Sequence, residues 1–162
     1  MKKAKIIFIT SVIGTVIGIG IGVGVIGRGI LKRSGKNAEL AQKHLQLYLL
    51  MNQWVKVKQK NKSIVEYLRG SGYKKIAVYG MNYVGETLID ELKGSDIRVV
   101  YGIDKNASDI YSDIDVVTPD EELANVDAVI VTPITFFSEI EDMLSLKMDC
   151  PILSIEDILY DV

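Results

Sequence analysis

The residues best placed to do chemistry lie in one short turn, Gly80-Met-Asn82-Tyr-Val-Gly85, which follows an apolar run and precedes a helical one. It occupies the place of G-x-G-x-x-G between strand and helix, an arrangement that cradles the pyrophosphate of a dinucleotide. Gly80 would permit the tight turn, Gly85 would let the helix pack close to the strand, and the helix N-terminus would offer free N–H groups to phosphate. Asp104 ends the next apolar run 24 positions after Gly80. There its carboxylate would accept hydrogen bonds from two ribose hydroxyls and repel a 2′-phosphate, which favours NAD over NADP. Asn82 departs from the pattern, because glycine normally stands at that position. Asparagine tolerates left-handed backbone angles but adds a side chain, so a site that has kept the fold without the ligand is the competing reading. The candidate nucleotide contacts are Gly80, Asn82, Tyr83, Val84, Gly85, Asp104, Lys105 and Thr132, the last because turns at the C-terminal ends of parallel strands line a ligand crevice.

Other chemistry is weaker. Tyr101-Gly-Ile-Asp-Lys105 has the Y-x-x-x-K spacing of a tyrosine-lysine catalytic pair, but four-residue spacing shares a face only on a helix, and these residues straddle a strand end. The acidic run Asp113, Asp115, Asp120, Glu121 and Glu122 resembles a cation site only by composition; acidic residues opening a short helix are explained by its dipole. Thr118, also before a proline, reads first as a turn residue. One cysteine, Cys150, and one histidine, His44, build neither a disulfide framework nor a His/Cys zinc site. No catalytic residue and no metal ligand is predicted.

The elements that must position the turn follow from hydropathy. Lys75 to Gly80 reads as a strand, Val84 to Leu92 as a helix, and Ile97 to Ile103 as a second strand. Val116 and Val117 make a third strand, residues 120–124 a turn or two of helix, residues 128–131 a fourth strand, residues 136–146 a helix, and Ile152 and Leu153 a fifth strand. Alternation of this sort predicts an α/β fold with a small, doubly wound parallel sheet of order 3-2-1-4-5.

The rest of the chain is different in kind. Up to Lys75 there are 15 Lys or Arg and 2 acidic residues; after it there are 4 and 19. Residues 6–27 form an uncharged stretch of 22 residues, long enough as a helix to cross the roughly 30 Å hydrocarbon core of a bilayer. A signal peptide would have a shorter apolar region and a small-residue cleavage site. The letters Gly22-Val-Gly24-Val-Ile-Gly27 lack the flanking strand, amphipathic helix and acidic residue of a nucleotide loop. Residues 1–31 are therefore read as a single-pass membrane anchor, with Gly14, Gly18 and Gly22 forming a smooth face for helix contact. Three lysines precede the span and five basic residues follow it within about 20 positions, so the positive-inside rule puts the C-terminal domain in the cytoplasm at the cell membrane.

Residues 32–72 read as a basic helical connector. Leu40, His44, Leu47, Met51, Trp54 and Val55 recur at helical spacing, either packing on the following domain or lying against anionic headgroups that the lysines attract. A second short helix begins at Ser63, where Ser63-Ile-Val-Glu66 has the capping-box form and Gly70 and Gly72 close it. Residues 73–162 form the third part.

The run Tyr73-Lys-Lys-Ile-Ala-Val-Tyr-Gly-Met-Asn-Tyr-Val-Gly85, the strand Val-Val-Tyr-Gly-Ile-Asp104 and the Val-Thr-Pro turns at 117–119 and 131–133 carry a family resemblance. They resemble the small Rossmann-type nucleotide-binding domains of bacterial surface-polysaccharide and sugar-modifying proteins, such as the N-terminal domain of sialic-acid-type sugar O-acyltransferases. A weaker resemblance, carried by Val129-Ile-Val-Thr-Pro133, is to CoA-binding domains of the succinyl-CoA ligase type. The resemblance covers about the last 90 residues. It implies binding of NAD, a nucleotide-sugar or CoA beside a separate catalytic domain that this chain lacks. The expectation is a membrane-anchored accessory or sensing protein of envelope polysaccharide biosynthesis. It would bind a small-molecule nucleotide and no nucleic acid, and associate with itself or with a membrane partner of polysaccharide assembly. The alternatives are a subunit of an NAD-dependent oxidoreductase or epimerase acting on sugar nucleotides, and a non-binding interaction scaffold.

Overall fold

The computed structural model describes residues 36–162, and the chain divides into two units, Met1–Leu47 and Tyr48–Val162. The expected span at 6–27 lies outside the described residues. Among the described residues no helix is long and apolar enough to cross a membrane. In the first unit residues 36–47 are helical, and Leu40, Leu45 and Leu47 are exposed.

The second unit begins with α1, residues 48–59, followed by α2 (Ile64–Gly70). Then come β1 (Lys75–Tyr79), α3 (Tyr83–Leu92), β2 (Arg98–Ile103), β3 (Val116–Val117), β4 (Ala128–Val131), α4 (Phe137–Ser145), β5 (Ile152–Ser154) and α5 (Ile155–Asp161). Single 3₁₀ turns stand at Ala107–Asp109 and Ile134–Phe136. All five strands pair in parallel, in the order β3-β2-β1-β4-β5. This is the α/β, Rossmann-like sheet that the hydropathy pattern predicts.

Side chains of β1 and β4 alternate between two layers, as the two-residue period of a strand requires. Ile76, Val78, Ala128 and Ile130 meet α1, α2, α3 and α5, whereas Ala77, Tyr79, Val129 and Val131 meet α4. The first layer takes in Leu50, Trp54 and Val57 of α1 and Ile64 and Leu68 of α2, so residues 48–72 complete the core of the sheet as well as leading into it. On α1 the buried seam runs through Leu50, Trp54 and Val57 and leaves Val55 exposed; of the expected stripe in this unit, Trp54 is buried and Met51 half-buried. Of the capping box read at Ser63, the N-cap half forms, the Ser63 Oγ accepting from Glu66 N–H.

Two local departures shape the C-terminal edge. Between β1 and β2 the register shifts by one residue, so Ile76 faces Val99 but Ala77 faces Tyr101. The shift turns both Val100 and Tyr101 toward the α4 layer and leaves Gly102 beneath Met81, whose Sδ lies 2.6 Å from where a Gly102 Cβ would stand. The helix expected over 120–124 does not form. Glu121 Oε1 instead accepts from the N–H and hydroxyl of Thr118 at 2.7 and 3.0 Å, closing a turn at Pro119. Leu123 and Val126 of the segment that follows pack on the α4 layer.

Candidate functional site

The crossovers leave β1 in opposite senses. β1 leads through α3 to β2 on one side of the sheet, and β4 leads through α4 to β5 on the other. The C-terminal ends of β1 and β4 thus flank a topological switch point, where a parallel sheet opens a crevice. A cleft of about 360 Å³ lies there. Gly80, Asn82, Asp104, Lys105 and Asn106 form one wall; Pro133, Phe136, Glu139, Ile140 and Met143 form the other; Tyr79 lies at the end of β1 between them.

Gly80 makes the turn with φ +91°, a backbone region that disfavours any side chain. Space excludes one too, since a Cβ would meet Pro133 Cδ at 2.6 Å and Thr132 Oγ1 at 2.7 Å. The Gly80 N–H donates to Ile103 O, which ties the turn to β2. Gly85 abuts the Gly80 carbonyl so closely that a Cβ there would overlap its oxygen. The two glycines therefore act as expected for backbone geometry, Gly80 in the turn and Gly85 in the close approach of α3.

Asn82 does something other than expected. Its φ is −98°, extended rather than left-handed, and its Oδ1 accepts from the N–H of Val84 at 2.9 Å and of Gly85 at 3.4 Å. Asn82 is thus the N-cap of α3, and its carboxamide oxygen stands where a phosphate oxygen would accept. Val84 buries its side chain in the core, and Tyr83 is 81% exposed beside the turn. Neither residue lines the cleft.

Asp104 is half-buried, with Oδ2 accepting from Met81 N–H and Oδ1 from Asn106 N–H, both at 2.9 Å. A carboxylate offers about four acceptor sites, so two hydrogen bonds to backbone leave capacity for two ligand hydroxyls. Lys105 is exposed at the rim. Thr132 is only 2% exposed and lies under the turn; its hydroxyl donates to the carbonyls of Gly80 and Tyr79 at 2.7 and 3.1 Å. It shapes the cleft without facing it. Of the eight candidate contacts, the structure brings Gly80, Asn82, Asp104 and Lys105 to the cleft wall.

The Tyr101-Lys105 pair is separated by function of place: Tyr101 is buried in β2 and donates its hydroxyl to Ala124 O at 2.6 Å, whereas Lys105 is solvated. Tyr79 is the residue that sequence reasoning missed. It is 4% exposed and packs in the same layer as Tyr101, yet its hydroxyl, fully buried, has no hydrogen-bond partner. Burial, and then the negative charges of Asp104 and Asp120, push its pKa up. An unpaired buried hydroxyl costs about 1–3 kcal/mol. The α4 wall was also unforeseen, although the Val-Thr-Pro133 turn marks where it begins.

No protein-family model, curated protein or solved structure matches this chain.

Proposed function

We propose that residues 48–162 form a nucleotide-binding module, carried on a membrane anchor at 6–27, that serves as an accessory or sensing component of envelope polysaccharide assembly. One observation supports it above the others: Asp104 retains acceptor capacity in a cleft at the switch point, beside a turn that only glycine can make. Ribose or sugar hydroxyls fit that carboxylate. The pyrophosphate of NAD fits less well, because Asn82 Oδ1 already takes two of the N–H groups at the start of α3. NAD remains a ligand of this reading through its ribose, with nucleotide-sugars and CoA as the other members of the class.

The same Asn82 cap favours a second reading, an interaction scaffold that has kept the sheet and closed the phosphate site with its own side chain. Mass spectrometry of small molecules released from the full-length protein, purified under native conditions in detergent, separates the two. A retained nucleotide supports the module. A protein that emerges empty, and that binds none of NAD, a UDP-sugar or CoA by calorimetry, is a scaffold.

A further inference from the structure

Two tyrosines lie in one layer, on neighbouring strands, and differ in one respect. Tyr101 finds Ala124 O for its hydroxyl, whereas the Tyr79 hydroxyl, equally buried, finds nothing. A buried polar group without a partner is uncommon and calls for a specific account. Tyr79 sits at the C-terminal end of β1, and it lines the cleft whose other side chains include Asp104 and Asn106 across the β2 end and Ile140 and Met143 from α4. A second, more open cavity of about 530 Å³, between α3 and residues 111–114, contains none of the candidate contacts and no unpaired buried side-chain group among the described residues.

The charges of the cleft narrow the ligand. Asp104 and Glu139 contribute two carboxylates against one ammonium, Lys105. Such a lining discourages a multiply charged anion. Asn82 Oδ1 occupies part of the helix terminus that would hold one. What the cleft offers is an acceptor, Asp104; Tyr79, one of its lining residues, adds a buried hydroxyl able both to donate and to accept. A polyhydroxylated ring complements both.

We propose that Tyr79 is a ligand-contacting residue, its hydroxyl paired with a polar group of a sugar ring whose hydroxyls bind Asp104, so that the site selects the sugar of its ligand over the pyrophosphate. The inference rests on the nucleotide-binding reading and deepens it. Met143, with its flexible unbranched side chain, is the neighbour best able to give way as the ring reaches Tyr79.

The test compares the full-length wild type with Tyr79→Phe in detergent, using adenosine, 2′,3′-dideoxyadenosine, NAD, UDP and a UDP-sugar as probes, with thermal melting of the free proteins alongside. Three results are expected. Adenosine or the sugar portion of the UDP-sugar accounts for most of the affinity, so that adenosine binds within about tenfold of NAD, or UDP falls far below the UDP-sugar. Tyr79→Phe weakens the best probe by about 3- to 10-fold, as loss of one uncharged hydrogen bond does. Its melting temperature without ligand stays level or rises, because an unpaired hydroxyl has been removed. The dideoxy probe distinguishes ribose from hexose as the ring, since only ribose recognition is lost with it. Unchanged affinity in Tyr79→Phe, or a lower melting temperature of the free variant, overturns the role of Tyr79 while nucleotide binding stands. Binding of NAD at least 100-fold tighter than adenosine, with the UDP-sugar no tighter than UDP, overturns the preference for the sugar. No binding of any probe by the folded wild type overturns both this inference and the reading beneath it.

Discussion

The side-chain oxygen of Asn82 lies 2.9 Å from the backbone nitrogen of Val84, at the end of α3 that faces the cleft. One short side chain thereby decides two properties at once. It satisfies donors that every helix start leaves open, and it withdraws those donors from a phosphate. Asn82→Ala should cost about 1 kcal/mol of stability, and Asn82→Gly only a few tenths, since glycine is itself a tolerated cap. Asn82→Gly should also strengthen NAD binding while leaving adenosine binding unchanged, because only NAD carries a pyrophosphate to occupy the freed N–H groups. Calorimetry and chemical denaturation of the same two variants measure both effects. Equal gains for NAD and adenosine would show that Asn82 does not screen a phosphate position.

Gly80 and Gly85 meet at one place, the Gly80 carbonyl standing where a Gly85 Cβ would go. Adding a methyl at Gly85 forces α3 away from the turn, and such overpacking costs roughly 1–3 kcal/mol. Adding one at Gly80 strains a φ of +91° and also drives into Pro133 and Thr132. Each single alanine variant should therefore unfold at lower denaturant. Because both act on one turn, the double variant should lose less than the two losses together. Strict additivity in urea unfolding would mean that the two glycines serve separate contacts.

Much of this arrangement was legible in the sequence, and the parts that were not have physical reasons. The strands of Ile76–Tyr79 and Ala128–Val131 stand out because sheets buried on both faces demand unbroken apolar runs. Asp104 falls at the end of β2 because the run before it ends there. The role of Asn82 was ambiguous, since asparagine suits both a left-handed turn and an N-cap, and only the backbone angle separates them. Tyr79 gave no signal: it continues an apolar run, and whether a hydroxyl finds a carbonyl depends on where a distant segment such as Ala124 passes. The helix expected at 120–124 rested on acidic residues that instead pair locally, Glu121 with Thr118. Helix α5 was missed because it is one short run after a strand; its signs are Ser154, whose Oγ accepts from Glu156 N–H at the cap, and the acidic first turn of Glu156 and Asp157.

Asp127 provides a pH-dependent tie at the opposite, N-terminal edge of the sheet. Its Oδ2 accepts from the N–H groups of Lys75 at 2.7 Å and Lys74 at 2.8 Å, and these backbone bonds hold its pKa below the ordinary carboxylate value. A lowered folded pKa stabilises the fold above the unfolded value, near 4, and the contribution is lost as pH falls through the folded value. Asp96, held down by Arg69, and Glu121, held down by Thr118, act in the same direction. Stability should thus be level from neutral pH to about 5 on their account and then decline. Asp127→Asn should flatten part of that acid limb. A variant whose stability falls with acid as steeply as the wild type would remove Asp127 from the explanation.

Glu91 gathers three elements of the domain on one carboxylate. Trp54 of α1 donates its indole N–H to Oε2, the Ile64 N–H at the start of α2 donates to Oε1, and Lys58 forms an ion pair with Oε1 at 3.0 Å. The carboxylate is nearly inaccessible, whereas Lys58 is about half exposed. The two hydrogen bonds should therefore matter more than the ion pair, because hydrogen bonds to a charged group are worth about 1.5–3 kcal/mol and exposed pairs little. Glu91→Ala should cost at least 3 kcal/mol, since it leaves the indole and the Ile64 N–H unpaired. Lys58→Ala should cost under about 1 kcal/mol. Trp54→Phe keeps most of the buried ring and should fall between them. The order Glu91 > Trp54 > Lys58 in urea unfolding checks this account. It also sets where the domain can be cut. A fragment beginning at residue 60 lacks Leu50, Trp54 and Val57 of the core and leaves the Glu91 carboxylate without two partners. It should be far less stable than one beginning at residue 48, and equal unfolding midpoints for the two fragments would show that α1 adds nothing to the fold.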